Sequence, residues 1–179
     1  DIYYEHCSYF SQGSLARLFR KSGFEILDIR TEYEGQYLMI DARPAAGAPK
    51  QLFPVEEDLA QLKGYVSTFS DRVKEKLSFW QKSMEFIADG RLRGVIWGSG
   101  SKGVAFLINP GLGSHIEYVV DINPHRQGMF MPGTGQEIIA PSALKKIQPD
   151  VVIVMNRVYE QEIKEELNKM GLSPKVLAL

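Results

Sequence analysis

From about Arg93 onward, short apolar runs alternate with helical patterns, a Gly-x-Gly-x-x-Gly loop follows the first of those runs, and an aspartate ends the second. These three observations predict an α/β fold, a Rossmann-like parallel sheet with flanking helices. Ahead of the sheet, the pattern predicts a helix and hairpin and then a long connecting helix.

The first 44 residues read as helix, strand, strand. Leu15, Leu18 and Phe19 have the i, i+3, i+4 spacing of a buried helical face, and Lys21-Ser22-Gly23 supplies a cation and then a glycine stop. Phe24 to Ile29 alternates at period two, Glu34-Gly35 marks a turn, and Tyr37 to Ile40 forms the return strand. A hairpin of two strands is marginal alone, so it needs a further sheet to lie against. Residues 45–54 hold three alanines, a glycine and two prolines, a composition that punctuates, and the domain boundary is placed there. Residues 55–179 then form the second domain. Its first part, Val55 to Ala88, spaces Leu59, Leu62, Val66, Phe69, Val73, Leu77, Trp80, Met84 and Ile87 by threes and fours. This predicts a long helix lying across the following domain, with a break near Gly64.

Gly94 to Trp97 is the first strand of the predicted sheet, the glycine loop follows, and Val104 to Ile108 continues as helix. Ile116 to Asp121, Glu137 to Ala140, Asp150 to Met155 and Lys175 to Leu179 supply four more strands. Pro141 to Ile147 and Val158 to Met170 supply the helices between them.

The composition narrows the function classes. Lys plus Arg total 21 against 22 Asp plus Glu, with no basic cluster, so nucleic acid is not an expected partner. The longest apolar runs, such as Val151 to Met155, fall far short of the roughly 20 residues that span a bilayer, and no membrane segment is expected. The single cysteine, Cys7, makes no internal disulfide, and the chain begins at Asp1 without a leader-like segment. The expectation is a cytoplasmic protein whose start is internal to a longer chain.

Three clusters carry candidate chemistry. The loop Gly98-Ser99-Gly100-Ser101-Lys102-Gly103 opens a helix directly after a strand, where bare backbone can approach a phosphate and Lys102 adds a charge. Asp121, 18 residues beyond Gly103, stands close to where an acid binds a ribose. The same glycines also suit a loop that only turns tightly. The second cluster runs from Asp121 through Asn123 to Gly128 and continues at Pro132-Gly133-Thr134-Gly135, where strand ends open a crevice, or where two rigid turns connect elements. The third is Tyr3-Tyr4-Glu5-His6 with Ser8-Tyr9-Phe10. A histidine beside a carboxylate and hydroxyls can act as a general base, and it can equally be a surface residue. His6, His115, His125 and Cys7 have no metal-ligand spacing, so no metal is expected, and no Gly-x-Ser-x-Gly elbow occurs.

Taken together, Tyr3 to Phe10, Ile96 to Gly103, Asp121-Ile122-Asn123-Pro124 and Pro132 to Gly135 resemble the C-terminal portion of S-adenosylmethionine-dependent sugar C-methyltransferases, over nearly the whole chain. The resemblance implies a parent with an N-terminal zinc-binding segment, a middle methyltransferase domain and a C-terminal Rossmann-like domain. Residues 1–44 then end the methyltransferase domain, and the methyl acceptor is a nucleotide-linked keto sugar. It implies His6 as the base that takes a proton from the carbon next to the ketone, with Glu5 and Tyr3 in support. Gly98, Gly100, Ser101, Lys102, Gly103, Asp121, Asn123, Gly133 and Thr134 are the corresponding substrate-binding candidates. S-adenosylmethionine serves the parent, whose main motif for it and whose zinc cysteines are not in this sequence, so the chain alone is expected to be inactive and to hold no cofactor. His125 and Arg126 occupy a stretch where the family usually carries a lysine-type residue. The missing N-terminal regions are the expected partners, and a homodimer is allowed.

Two other readings stay open. The loop and Asp121 also fit an NAD(P)- or other nucleotide-binding Rossmann domain of an oxidoreductase or sensor. A purely structural domain that shapes or dimerises its parent is the third.

Overall fold

The computed structural model describes residues 6–47, 52–109 and 111–179. Two compact units are present, one ending at Val73 and the other beginning at Lys74.

In the first unit, helix α1 (Gln12–Lys21) starts at a reciprocal cap. The Ser11 hydroxyl accepts from the Ser14 amide at 3.0 Å, and the Ser14 hydroxyl accepts from the Ser11 amide at 2.8 Å. The helix ends at Ser22, with Gly23 in the left-handed region at φ +86°. Strands β1 (Phe24–Glu32) and β2 (Tyr37–Pro44) pair antiparallel, with a register shift between Ile26 and Asp28. Ala16, Ile26 and Ile29 are buried, with Leu15, Phe19, Leu38 and Ile40 packed around them. Leu18, expected on the buried face, is 44% exposed. The inner face of α1 runs through Gly13 and Ala16, flanked by the partly buried Leu15 and Phe19, and the two small residues let the helix approach closely. A Cβ on Gly13 would lie 2.3 Å from the Val55 carbonyl oxygen.

Pro54–Glu56 forms a 3₁₀ turn, and two ion pairs tie α1 to Glu56 of that turn and to Asp58 just beyond it. Arg20 donates to both Glu56 carboxylate oxygens, each at 2.8 Å, with both side chains nearly buried. Asp58 accepts from the Ser11 hydroxyl at 2.6 Å and from Arg17 at 2.7 Å. The hydrogen bond from Arg20 holds the Glu56 carboxyl below its ordinary range against the opposing effect of burial. The Ser11 hydroxyl does the same for Asp58, ahead of Arg17. A depressed folded-state value stabilises the fold above the unfolded value and stops doing so as pH falls through the folded one. This unit is therefore expected to lose stability in acid, below a pH of about 4. The methyl resonances of Ala16, Ile26 and Ile29 should report it by NMR. Glu56→Gln should flatten the acid dependence, and an unchanged slope would rule out this carboxylate as a source.

Helix α2 (Leu59–Asp89) is continuous for 31 residues and passes from the first unit into the second. The break expected near Gly64 does not occur. No neighbouring atom crowds that glycine, and its carbonyl accepts the Ser67 and Thr68 hydroxyls, each at 2.9 Å, within an unbroken helix. The helix starts at Leu59 rather than Val55 because the proline turn occupies residues 54–56. Its apolar stripe is buried only in its second half, at Trp80, Met84 and Ile87, whereas Val66 is 78% exposed.

In the second unit, β3 (Gly94–Trp97), α3 (Ser101–Ile108), β4 (Ile116–Val120), β5 (Glu137–Ile139), α4 (Leu144–Ile147), β6 (Val151–Val154), α5 (Glu160–Lys169) and β7 (Lys175–Ala178) follow in order. The five strands lie in the order β5-β4-β3-β6-β7, and all pairs are parallel. This is the predicted Rossmann-like sheet. Successive residues of the central strands serve opposite faces. Ile96, Val119 and Ile153 pack with Trp80, Met84, Ile87 and Phe106, while Val95, Val120, Val152 and Val154 pack with Leu144, Ile163 and Leu167. With both faces covered, β3 and β6 are buried at every position, which is why they read as unbroken apolar runs. No described helix is long and apolar enough to cross a membrane.

Candidate functional site

The chain runs from β3 toward β4 and β5 on one side and then crosses back to β6 and β7 on the other. Between β3 and β6 the winding reverses, and in open α/β sheets the crevice beyond the strand ends at that point is where ligands bind. A cleft of about 560 Å³ lies there. The glycine loop forms one wall, the strand ends at Trp97, Asp121 and Val154 its base, and α5 the opposite wall.

Each glycine of the loop has a different reason. Gly98 sits at φ +118°, a conformation side chains rarely adopt, and its amide donates to the Val120 carbonyl at 2.8 Å. A Cβ on Gly103 would lie 2.5 Å from the Gly98 carbonyl oxygen, so α3 packs directly on the loop. Gly100 has neither constraint. Its φ and ψ of −75° and −172° suit any residue, and the nearest atom to an added Cβ is Arg126 Nη1 at 4.0 Å. It borders the cleft, and the fold does not require a glycine there.

Asp121 directly follows β4 and borders the cleft, but it is engaged by the protein. Its Oδ2 accepts from the Ser99 amide at 3.0 Å and from the Ser99 hydroxyl, and its Oδ1 accepts from the Asn123 amide at 2.8 Å. Arg126 Nη1 lies 3.6 Å from Oδ2. Burial pushes this carboxyl up, yet the Ser99 hydroxyl, the two amides and the Arg126 charge outweigh it and hold the group below its ordinary value.

Of the residues singled out from sequence, the cleft brings together Gly98, Gly100, Ser101, Lys102, Gly103 and Asp121. Asn123 is exposed and shapes the turn, accepting from the His125 amide at 3.0 Å. Gly133 and Thr134 line a separate, open depression with Asn109 and Gly113. His6, in the first unit, is exposed and meets the Tyr9 ring edge-on at 6.0 Å. Tyr3 and Glu5 lie outside the described residues. Sequence reasoning missed the α5 side of the cleft, including Asn156, Tyr159, Glu162 and Glu166. The usable signal was Met155-Asn156 at the end of an apolar strand, which becomes informative once β6 is known to neighbour β3. Among the described residues, no group of three or more His, Cys, Asp or Glu side chains is arranged to hold a metal ion.

Fold and cleft together define a Rossmann-like α/β domain with an open crevice at its switch point. Residues 47–173 match the family described as the C-methyltransferase C-terminal domain, and the chain belongs to that family. It is also 30% identical, over 172 residues and 90% of its length, to the C-methyltransferase NovU of Streptomyces niveus, and it spans 41% of that relative. Among solved structures, the UDP-D-quinovosamine 4-dehydrogenase of Vibrio fischeri overlaps 49% of this chain and 77% of its own, at 20% identity and a TM-score of 0.39. A Rex-family repressor, RSP, overlaps 49% of this chain and 52% of its own, at 14% identity and a TM-score of 0.38. Neither overlap bears on ligand or activity.

Proposed function

We propose that this chain is the acceptor-recognising part of an S-adenosylmethionine-dependent C-methyltransferase, and that its cleft takes the nucleotide portion of a nucleotide-linked keto sugar. One observation carries this reading: Gly100 borders an open crevice at the switch point, and the fold itself does not require a glycine there. Ser101 and Lys102 lie beside it, as a phosphate-bearing ligand needs. In the parent enzyme, His6 is the proposed base, with Glu5 and Tyr3 in support. It takes the proton from the carbon next to the ketone, and the electron pair of that C–H bond passes into an enolate whose carbon then forms the new C–C bond. S-adenosylmethionine, when bound, would supply the methyl group, the S–CH3 bond breaking as the C–C bond forms and its electron pair staying on the sulfur of the departing S-adenosylhomocysteine.

We propose that neither S-adenosylmethionine nor NAD is the occupant of this cleft. The acid that would meet an adenosyl ribose, Asp121, is already bonded to Ser99 and Asn123. The donor site is therefore proposed to lie in another part of the parent, and the chain alone to be inactive. Calorimetry on the chain should show saturable heat with UDP-glucose or dTDP-glucose and none with S-adenosylmethionine. Absence of binding by either nucleotide sugar would overturn the recognition role. Micromolar NAD binding would instead favour the oxidoreductase or sensor reading.

A further inference from the structure

We infer that Tyr159 and Ile122 form a base subsite in the cleft: a planar nucleobase lies against the Tyr159 ring and has Ile122 on its other face, with the phosphates toward the glycine loop. This inference rests on the cleft being a nucleotide site.

Both residues line the cleft, and the strand order brings them to it from two sides. Ile122 follows β4 and Tyr159 follows β6, the two neighbours of β3, and Trp97 at the end of β3 belongs to the base. Strands two places apart in a sheet stand about 10 Å from each other. A flat ring with a side chain in contact on each face takes up about 7–8 Å. The gap suits a ring one atom thick.

Neither side chain serves the core. Ile122 is 71% exposed and Tyr159 40%, and among the described residues neither belongs to the apolar clusters that cover the two faces of the sheet. Their backbones are nonetheless fixed. The Asp121 carboxylate accepts from the Asn123 amide at 2.8 Å, which closes a turn over Ile122. The Tyr159 amide donates to the Asn156 carbonyl at 3.0 Å, and the Asn156 side chain accepts from the Val158 amide at 3.4 Å. Two exposed side chains in fixed turns thus border a cleft that Trp97, Met155 and Ile163 also line, and a flat aromatic ring would remove this apolar surface from water.

The charges set the direction of the ligand. Four carboxylates line the cleft, Asp121, Glu162, Glu165 and Glu166, against two ammonium groups, Lys102 and Lys169. Glu162 and Glu166, one helical turn apart, share a face of α5, the helix that Tyr159 leads into. Lys169 ends α5, about 15 Å along the helix from Tyr159. A diphosphate beside Tyr159 would meet the acidic wall, whereas at Gly100, Ser101 and Lys102 it meets bare backbone and a cation. Uracil or thymine carries no charge and offers an imide N–H to an acceptor, so the base suits the α5 side and the phosphates suit the loop.

The test is calorimetry on the 179-residue chain with UDP and with 5,6-dihydro-UDP, whose base keeps its polar groups but is saturated and no longer planar. The unaltered chain should bind UDP about tenfold more tightly than the dihydro form. Tyr159→Ala should weaken UDP by about tenfold and erase that preference, Tyr159→Phe should keep both, and Ile122→Ser should reduce the preference by a smaller factor. Lys102→Gln should weaken the two nucleotides alike, so the ratio separates the base from the phosphates. Because Tyr159 and Ile122 lie outside the core, thermal melts of their variants should match the unaltered chain. UDP binding without preference over the dihydro form, or a preference that survives Tyr159→Ala, would overturn the inference while leaving the nucleotide cleft standing. If the unaltered chain binds neither UDP nor UDP-glucose or dTDP-glucose, the cleft reading fails and this inference fails with it.

Discussion

Replacing His6 by glutamine in the full-length enzyme is expected to lower methyl transfer by about 10²–10⁴-fold and to leave acceptor binding unchanged. A proton on carbon next to a ketone leaves only if a base stands within hydrogen-bond reach, and glutamine keeps the hydrogen-bonding capacity without the basic nitrogen. His6 is exposed in its unit and restrained by the Tyr9 ring, so glutamine should leave the small core of Ala16, Ile26 and Ile29 intact. Deuterium exchange at the acceptor carbon, measured without the methyl donor, isolates the proton step. It should fall in parallel with turnover. Full transfer by the glutamine variant would remove His6 from the chemistry, and normal exchange with lost transfer would move its role to a later step.

Local pattern made the sheet legible. Gly94 to Trp97, the loop and α3 follow one another as their periodicities require, and the glycine spacing marked the turn. What remained hidden depends on contacts distant in sequence. Periodicity in α2 shows that Val66 and Trp80 share an apolar stripe, but not that only the second is covered by this chain. Asp121 reads as a ligand group from its position and does border the cleft, but its partners, Ser99 and Arg126, are set by how the loop and the turn meet. Gly133 and Thr134 looked like part of the crevice because they follow the same strand. The bridge between Phe130 and Glu137 belongs to a turn that carries them to a different depression. The α5 wall escaped notice because its residues join the glycine loop only through the strand order, and strand order is not written in any one segment.

The glycine loop offers the sharpest separation of fold from function. Gly103→Ala is expected to destabilise the second unit by about 1–3 kcal/mol, because the new methyl would sit 2.5 Å from the Gly98 carbonyl oxygen, a main-chain atom. That oxygen cannot retreat easily. Gly98 is held at φ +118°, and its amide is bonded to the Val120 carbonyl at the centre of the sheet. Gly100→Ala should do the opposite. Its backbone conformation is open to alanine and its nearest neighbour is the arginine tip, so stability should hold or rise by about 0.4–1 kcal/mol through the loss of unfolded-chain entropy. Yet Gly100→Ala should weaken UDP-glucose or dTDP-glucose, because its methyl group would stand where the ligand must approach the backbone. Thermal melts and calorimetry on the two variants give a crossed result if the loop is a binding surface: one loses stability, the other affinity. If Gly100→Ala binds as the unaltered chain does, the ligand does not lie against this loop, and its glycines serve only the turn and the packing of α3.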